Sequence, residues 1–313
     1  MDDAKMKNME FELLKELCAI RSASGDEGRI SAFLLDHIRD KQKEWKFTPE
    51  IYHGQDFQEC IVLVFGKPRT AVYAHMDSIG FTVRYADQLV RIGAPHVQSG
   101  MKVVGSDRQG ELSATLEIDE EHRISYRHSR PVDRGTVLTF APDWRETDDT
   151  VQCCYMDNRL GVWNALRLCE DLENGAIVFS CREEHGGGSV PFLARFLFEK
   201  YGIRQALISD ITWVTEGVHA GKGAAISLRD SGIPRKSFTD RIEAIAERSG
   251  IPYQLEVEGS GGSDGTELQK QPYPIDWCFI GAPEENVHTP DEKVHKKDIA
   301  SMTELYRLLM KEL

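Results

Sequence analysis

The sequence lacks the features that mark membrane proteins, disulfide scaffolds and nucleic-acid-binding proteins. No apolar run approaches the roughly 18 consecutive residues that suggest a membrane span. The seven cysteines are irregularly spaced and include no C-x-x-C pair, so neither a zinc ribbon nor a redox motif is indicated. The 38 Lys and Arg residues are outnumbered by 51 Asp and Glu residues, for a formal net charge of −13. A nucleic-acid partner would need clustered basic residues, and we expect none.

The N-terminal segment also lacks the pattern of a secretory signal. It reads MDDAKMKNMEFELLKELC, with no basic region followed by an apolar stretch. An odd number of cysteines without framework spacing fits a reducing compartment. We therefore expect a cytoplasmic protein without a membrane partner, with most of its thiols in the core.

What the chain does contain is ordinary globular material of substantial length. It has 313 residues, of which 41% are hydrophobic and 28% are charged. That length suits two domains, or one large domain with an insertion.

Hydrophobic periodicity predicts alternating strands and helices over most of the chain. Helices are predicted at 9–20 and after Ser24, and the spacing of apolar residues later in the chain predicts further helices at Arg159–Leu172, Val190–Tyr201, Ser237–Ser249, Thr266–Lys270 and Lys297–Leu313. Strands are predicted at Ile61–Phe65, Ala71–Ala74, Ala176–Cys181, Ala206–Ser209, Ala224–Leu228, Tyr253–Val257 and Ile275–Ile280. This alternation is typical of an α/β fold with a mixed, largely parallel sheet flanked by helices.

One region departs from that alternation. Residues 79–149 carry short alternating segments separated by Gly, Pro and Asp turns, without a helical period of useful length. We predict a small β-rich domain at 79–149, inserted into an α/β domain formed by residues 1–78 and 150–313.

Five short segments with acidic or histidine residues lie at predicted strand ends or helix starts. They are Ala74–Asp77, Met156–Arg159, Arg182–His185, Ser209–Asp210 and Val287–Pro290. Ligands of open α/β sheets bind outside the carboxyl ends of the strands. We therefore expect the five segments to meet in one crevice.

The residue types in these segments are those of a two-metal site. Histidines with carboxylates suit Zn²⁺, Co²⁺ or Mn²⁺. Two metals about 3.5–4 Å apart need a bridging carboxylate with ligands on both sides. The candidates that supply that number are His75, Asp157, Glu184, Asp210 and His288. Asp77, two residues after His75, is placed to orient the imidazole.

The ordered set resembles the dinuclear metallo-aminopeptidases of the glutamyl aminopeptidase and tetrahedral (TET) aminopeptidase family. The segments that carry the resemblance are His75–Phe81, Met156–Gly161, Glu183-Glu184, Ser209-Asp210, Gly221–Gly223, Gly261–Asp264 and Ile280–Pro283 through His288–Pro290. They cover most of the chain apart from the insertion.

The resemblance implies a fold, an activity and a role for each candidate. The fold would be zinc-peptidase-like, and the activity would be removal of N-terminal residues from peptides by a metal-activated water. His75 and Asp210 would hold one metal, Glu184 and His288 the other, and Asp157 would bridge them. Glu183 would be the general base.

Three features depart from the family pattern. Asn158 stands where a second Asp is common, and His185 where an apolar residue is usual. The insertion is shorter than expected. Exposed strands of an inserted β domain need covering or pairing, which predicts a homo-oligomer, and the short insertion favours a dimer over a dodecamer.

Other functions stay open at this point. A carboxypeptidase or an N-acyl amino acid deacylase would need a basic residue for a substrate carboxylate, and Arg159 and Arg182 adjoin the motifs. A glycosidase would use a carboxylate pair that includes Glu183 but has no need of two histidines. A catalytically silent scaffold is a further alternative.

Overall fold

A mixed eleven-stranded sheet organises the part of the chain that the computed structural model describes, residues 11–313. Its strands are β1 (Glu50–Tyr52), β2 (Ile61–Phe65), β3 (Thr70–His75), β10 (Arg145–Glu146), β11 (Thr150–Gln152), β12 (Gly175–Ser180), β13 (Gln205–Trp213), β14 (Ala224–Arg229), β15 (Tyr253–Val257), β16 (Asp276–Glu285) and β17 (Lys293–His295). The order is β1-β2-β12-β3-β13-β16-β17-β11-β10, and β14 joins β16 and carries β15.

The four central strands of this sheet, β12, β3, β13 and β16, are parallel to one another. The outer pairs on either side, such as β1 with β2 and β16 with β17, are antiparallel. Every residue of β3 and β12 is buried, as expected for strands covered on both faces. The predicted α/β fold with a largely parallel sheet is confirmed.

Helices cover this sheet and largely match the predicted ranges. They are α1 (Glu12–Ala19), α2 (Gly28–Lys41), α3 (Met156–Cys169), α4 (Val190–Tyr201), α5 (Lys236–Ser249), α6 (Asp264–Gln269) and α7 (Lys296–Glu312). The first predicted helix began at residue 9, which lies outside the described residues. No helix within residues 11–313 combines the length and apolar character needed to cross a bilayer.

Strands β13 and β16 extend further toward the C-terminus than their apolar runs predicted, and this corrects the placement of Asp210. Strand β13 was expected to end at Ser209, yet it pairs with β16 in continuous register from Gln205↔Asp276 to Trp213↔Glu284. Asp210 therefore lies within the strand and not beyond its end. The backbone ladder continues past a polar side chain because its hydrogen bonds do not depend on side-chain polarity.

Strands from the predicted insertion form a separate antiparallel sheet of six strands, in the order β5-β4-β9-β6-β7-β8. They are β4 (Gly80–Val83), β5 (Leu89–Ile92), β6 (Lys102–Asp107), β7 (Gly110–Ile118), β8 (Ile124–Arg127) and β9 (Val137–Phe140). One face buries Phe81 against Phe140, with ring centroids 5.6 Å apart. The division into domains at 78 and 150 stays a prediction.

All seven cysteines lie within the described range. Each is buried, and none forms a disulfide. They pack as small core residues, as their irregular spacing suggested.

Candidate metal centre

The five predicted ligands converge into two trios that share Asp157. The first trio is His75, Asp157 and Asp210, and the second is Asp157, Glu184 and His288; the ligand atoms of each lie within 4.8 Å of one another. His75 Nε2 lies 3.2 Å from Asp157 Oδ1 and 3.4 Å from Asp210 Oδ2. His288 Nε2 lies 3.2 Å from both Asp157 Oδ2 and Glu184 Oε2. The two oxygens of Asp157 thus face different histidines.

The sheet brings these residues together from distant parts of the chain. His75 ends β3, and Asp157 stands in the first turn of α3. Glu184 follows β12, and His288 lies in the loop between β16 and β17. Because β12, β3, β13 and β16 are parallel neighbours, their carboxyl ends meet at one edge.

The chemistry of the donor set fits divalent cations. His75 Nδ1 and Glu184 Oε1 are buried without a hydrogen-bond partner among residues 11–313. Burial raises the pKa of Glu184 to about 7 and also raises the pKa of Asp210. Buried carboxylates without compensating charge are costly, and divalent cations held by the two trios would relieve that cost.

The pKa of His288 also reflects the negative charge around the site. Burial alone would lower its pKa, but hydrogen bonds to the carboxylates of Asp157 and Glu184 outweigh burial and raise it to about 11. The same carboxylates that favour a proton on this imidazole would favour a divalent cation, to which the ring would bind in its neutral form.

Asp77 has more contacts than the sequence suggested. Its Oδ1 lies 3.5 Å from His75 Nδ1, the ring nitrogen that faces away from the trio. Its two oxygens also accept hydrogen bonds from the backbone amides of Glu183 and Glu184, at 3.0 and 3.1 Å. The hydroxyl of Ser24 donates to the same carboxylate. Asp77 therefore holds the Glu183-Glu184 turn as well as lying beside His75.

Glu183 lies beside the first trio without belonging to it. Its Oε2 is 3.8 Å from His75 Nε2, and its side chain borders a cavity of about 480 Å³ that also contains the ligands. Burial raises its pKa well above the ordinary value. A carboxylate so placed can accept a proton from a water molecule in this cavity.

Sequence reasoning missed Glu292, which braces the second trio. This buried carboxylate accepts hydrogen bonds from the backbone amides of Asp157 (3.3 Å) and His288 (3.1 Å). The available signal was an acidic residue four positions after His288. A second omission is Ser263, whose hydroxyl donates to Asp210 Oδ2 at 2.6 Å. The glycine loop 259–265 reaches the site through this contact and by lining the cavity.

The two residues that depart from the family pattern, Asn158 and His185, have different surroundings. Asn158 points away from the cavity and bonds the backbone, with Nδ2 donating to Ser209 O at 2.9 Å. His185 lines the cavity. Its Nδ1 accepts from the amide of Gly93, at 3.1 Å, in the loop after β5.

The second sheet reaches the metal centre through that loop. Besides the bond to His185, the amide of His96 donates to the carbonyl of His288 at 2.9 Å. Gly93 has φ of +67°, and a Cβ there would lie 2.9 Å from Ile79 Cγ2 and 3.1 Å from Glu184 O. Only glycine lets this loop approach so closely.

Neither arginine next to the motifs borders the cavity. The guanidinium of Arg159 is fully buried and donates to Met76 O and the hydroxyl of Ser22, both at 2.6 Å. It supports the loop after β3. The basic contact that a carboxypeptidase or deacylase would need is therefore not supplied by Arg159.

Comparison with known proteins identifies what this arrangement resembles. A model of the M42 glutamyl aminopeptidase family matches residues 89–305. A protein of Acetivibrio thermocellus that carries a provisional aminopeptidase name is 28% identical, over 94% of this chain and 96% of that protein.

Solved structures share the fold at lower identity. The aminopeptidase APDkam598 of the archaeon Desulfurococcus kamchatkensis superposes with a TM-score of 0.85 at 19% identity, covering 99% of this chain and 96% of that one. Pyrococcus horikoshii TET1 peptidase, described as assembling into a tetrahedron or an octahedral shell, gives 0.81 at 22% identity, covering 97% and 99%. The fold is therefore common to all three.

Proposed function

Because the chain belongs to the M42 glutamyl aminopeptidase family and is a metal-dependent aminopeptidase, we propose that the two trios sharing Asp157 bind two divalent cations and that Glu183 is the base. The observation that carries this proposal is the division of the two Asp157 oxygens between His75 and His288. We propose Zn²⁺ as the metal, with Co²⁺ or Mn²⁺ as alternatives, since all three suit this donor set.

Each residue then has a defined task in hydrolysis. Cations at the two trios would supply Lewis acidity, which polarises a peptide carbonyl and makes water a stronger acid. Glu183 Oε2 takes the proton of the attacking water and delivers it to the departing amine. Asp77 positions Glu183 by accepting from its amide, and lies beside His75 Nδ1.

The substrate would be a peptide with a free N-terminus. The cavity is lined by carboxylates and by no Lys or Arg from the described part of the chain, so an α-ammonium group is favoured there. The same lining disfavours a substrate carboxylate, which a carboxypeptidase or N-acyl amino acid deacylase must bind.

We also propose that the protein is a homo-oligomer. The sequence favours a dimer because the insertion is short. The superposition with Pyrococcus horikoshii TET1, however, covers 97% of this chain and 99% of that one. That extent gives no support to a dimer over a dodecamer. Light scattering should give a particle well above the 35.4 kDa of one chain, and a mass of one chain would contradict assembly. Cytoplasmic location stays a prediction.

The proposed activity is tested with aminoacyl anilides on metal-stripped and metal-reconstituted protein. We expect cleavage of free aminoacyl anilides only after reconstitution, and none after N-acetylation, because acetylation removes the amine's charge. Release of acetate from the acetylated substrate, without release of the aniline, would instead identify a deacylase, and release of sugar from a glucan would identify a glycosidase.

A further inference from the structure

Three carboxylates in the active-site cavity have no task in the hydrolysis described above. Asp230, Glu256 and Glu258 line the same cavity of about 480 Å³ as the metal centre. They come from the ends of β14 and β15 and the residues that follow them. One part of the cavity therefore holds the reacting bond, and another part holds a separate group of acids, which we call the acidic pocket.

Two of these acids are buried without a basic partner. Asp230 is 6% exposed and Glu256 is 4% exposed. Among residues 11–313, no Lys or Arg nitrogen lies within 4.0 Å of either carboxylate. Asp230 Oδ1 accepts from the amide of Gly232, and the hydroxyl of Thr212 donates to Glu256 Oε1. Buried Asp and Glu are usually paired with a cation, and a cationic group of a substrate would supply the pairing that residues 11–313 do not give to Asp230 and Glu256.

Arg229 is next to Asp230 in the sequence but forms no ion pair with the Asp230 carboxylate. Arg229 is exposed, and its Nε donates to the backbone carbonyls of Asp230 (3.4 Å) and Glu258 (3.1 Å). Burial raises the pKa of both Asp230 and Glu256. This is the direction expected when the negative charge of a buried acid is not neutralised.

The geometry of the pocket suits an organic cation better than a metal ion. Within the described residues, only the two trios of the metal centre bring three ligand atoms within 4.8 Å of one another. The acids of the acidic pocket are more widely spread. Phe279 and Ile211 line the same cavity and offer apolar surface to an aliphatic stem.

We propose that the acidic pocket binds the ammonium or guanidinium group of a basic first residue, so that the enzyme prefers peptides that begin with Lys or Arg. This inference rests on the proposed function, because the metal centre fixes which bond is cut. Asp230 and Glu256 are more than nine-tenths buried, as are His75, Asp157 and Asp210 of the metal centre, so both groups of acids lie in the enclosed part of the cavity. An exopeptidase places the first residue at the enclosed end, since the rest of the peptide must leave toward solvent.

The acidic pocket disfavours glutamate as the first residue of the substrate. A glutamyl side chain would bring a further negative charge toward three acids, and like charges in a partly buried site repel strongly. Although the family is described by glutamyl aminopeptidase activity, we therefore expect glutamyl substrates to be cleaved least well in a panel of aminoacyl anilides.

The test compares lysyl and norleucyl p-nitroanilides, which share an aliphatic stem and differ in the terminal ammonium group. We expect kcat/KM to be at least tenfold higher for the lysyl substrate in the metal-loaded enzyme. Glu256→Gln and Asp230→Asn should each lower the lysyl-to-norleucyl ratio about tenfold, while bound metal is unchanged. Glu247→Gln, on the exposed surface of α5, removes the same charge far from the cavity and should leave the ratio unaltered.

Several results would overturn the proposal. A norleucyl substrate cleaved as well as the lysyl one would do so, as would a ratio unmoved by both substitutions. A lysine preference seen only at the second position, in Leu-Lys against Leu-norleucine, would also overturn it, because the pocket would then bind the second residue of the substrate and not the first. If a buried variant does not fold by circular dichroism, Glu258→Gln at the half-buried rim supplies the same comparison.

Failure of the proposed function would look different. In that case no anilide is cleaved, and the pocket is tested by calorimetry with lysinamide and norleucinamide. Tighter binding of lysinamide by tenfold or more would support the pocket, and equal binding would exclude it.

Discussion

The two halves of the metal centre are built in different ways. His75 and Asp210 belong to neighbouring central strands and are 1% and 4% exposed. Glu184 and His288 lie in loops, and the side chain of His288 is 18% exposed. The backbone of His288 is left-handed, with φ of 63°. We call His75 and Asp210 the strand-held half and Glu184 and His288 the loop-held half. The sheet fixes the strand-held half, whereas the loop-held half depends on side chains that accept hydrogen bonds from its backbone amides.

Those supporting contacts come from residues that are not themselves candidate ligands. Asp77 accepts hydrogen bonds from the amides of Glu183 and Glu184. Glu292 accepts one from the amide of His288, and the loop after β5 donates one to the carbonyl of His288. Loops at functional sites are commonly positioned in this way by a rigid scaffold. The difference teaches that the loop-held half should respond to changes several residues away from any ligand.

The largest effect is expected from Asp157→Asn, because Asp157 belongs to both halves. Losing the bridging charge should reduce bound metal from about two equivalents per chain toward none and lower kcat/KM by about 10³-fold or more. Metal analysis and anilide kinetics measure both. A variant that kept both metals and near-normal activity would remove Asp157 from its bridging role.

The next effect separates two adjacent residues. Glu183→Gln should keep both metals and lower kcat by about 10²–10⁴-fold, because it removes a proton acceptor and not a ligand. Glu184→Gln should release the metal of the loop-held half. Normal turnover in Glu183→Gln, or full metal content in Glu184→Gln, would reverse the assignment.

A matched pair of histidine substitutions tests the comparison directly. His288→Ala should yield protein with about one metal per chain, retained by the buried trio. His75→Ala should cost more folding stability, since it leaves a cavity among fully buried strands. Thermal unfolding of the two stripped proteins checks this, and equal melting temperatures would contradict the contrast.

The smallest effect is expected from Gly93→Ala, which changes no ligand. A Cβ at Gly93 would lie within 3.1 Å of Glu184 O, so the loop must shift and metal affinity of the loop-held half should fall by about 10-fold, the lower end of losses on changing a metal's outer contacts. Gly100→Ala is the control, because Gly100 also has positive φ, +97°, but nothing within 4 Å of its added Cβ. Equal losses in both variants would assign the effect to backbone strain alone.

Much of the site could be predicted because its residues follow recognisable patterns. His75 ends an apolar strand, Glu184 and His288 follow apolar strands, and Asp157 lies at the start of a helix; the alternation of elements places such positions at one sheet edge. Asp210 was predicted as a candidate, but its placement beyond a strand end was wrong, because apolar runs mark burial and not the full length of a ladder.

Sequence alone determined the fold class, the family resemblance and the set of candidate ligands, since these depend on local periodicity and on residue types in order. The tertiary structure decided which oxygen of Asp157 faces which histidine, that Glu292 and Ser263 brace the ligands, and that Arg159 is buried away from the cavity. It also decided that Asp230 and Glu256 lie in the same cavity as His75, more than 150 residues away in the chain. Contacts of that kind have no local signal, because packing and not sequence spacing sets the distance between side chains on different elements.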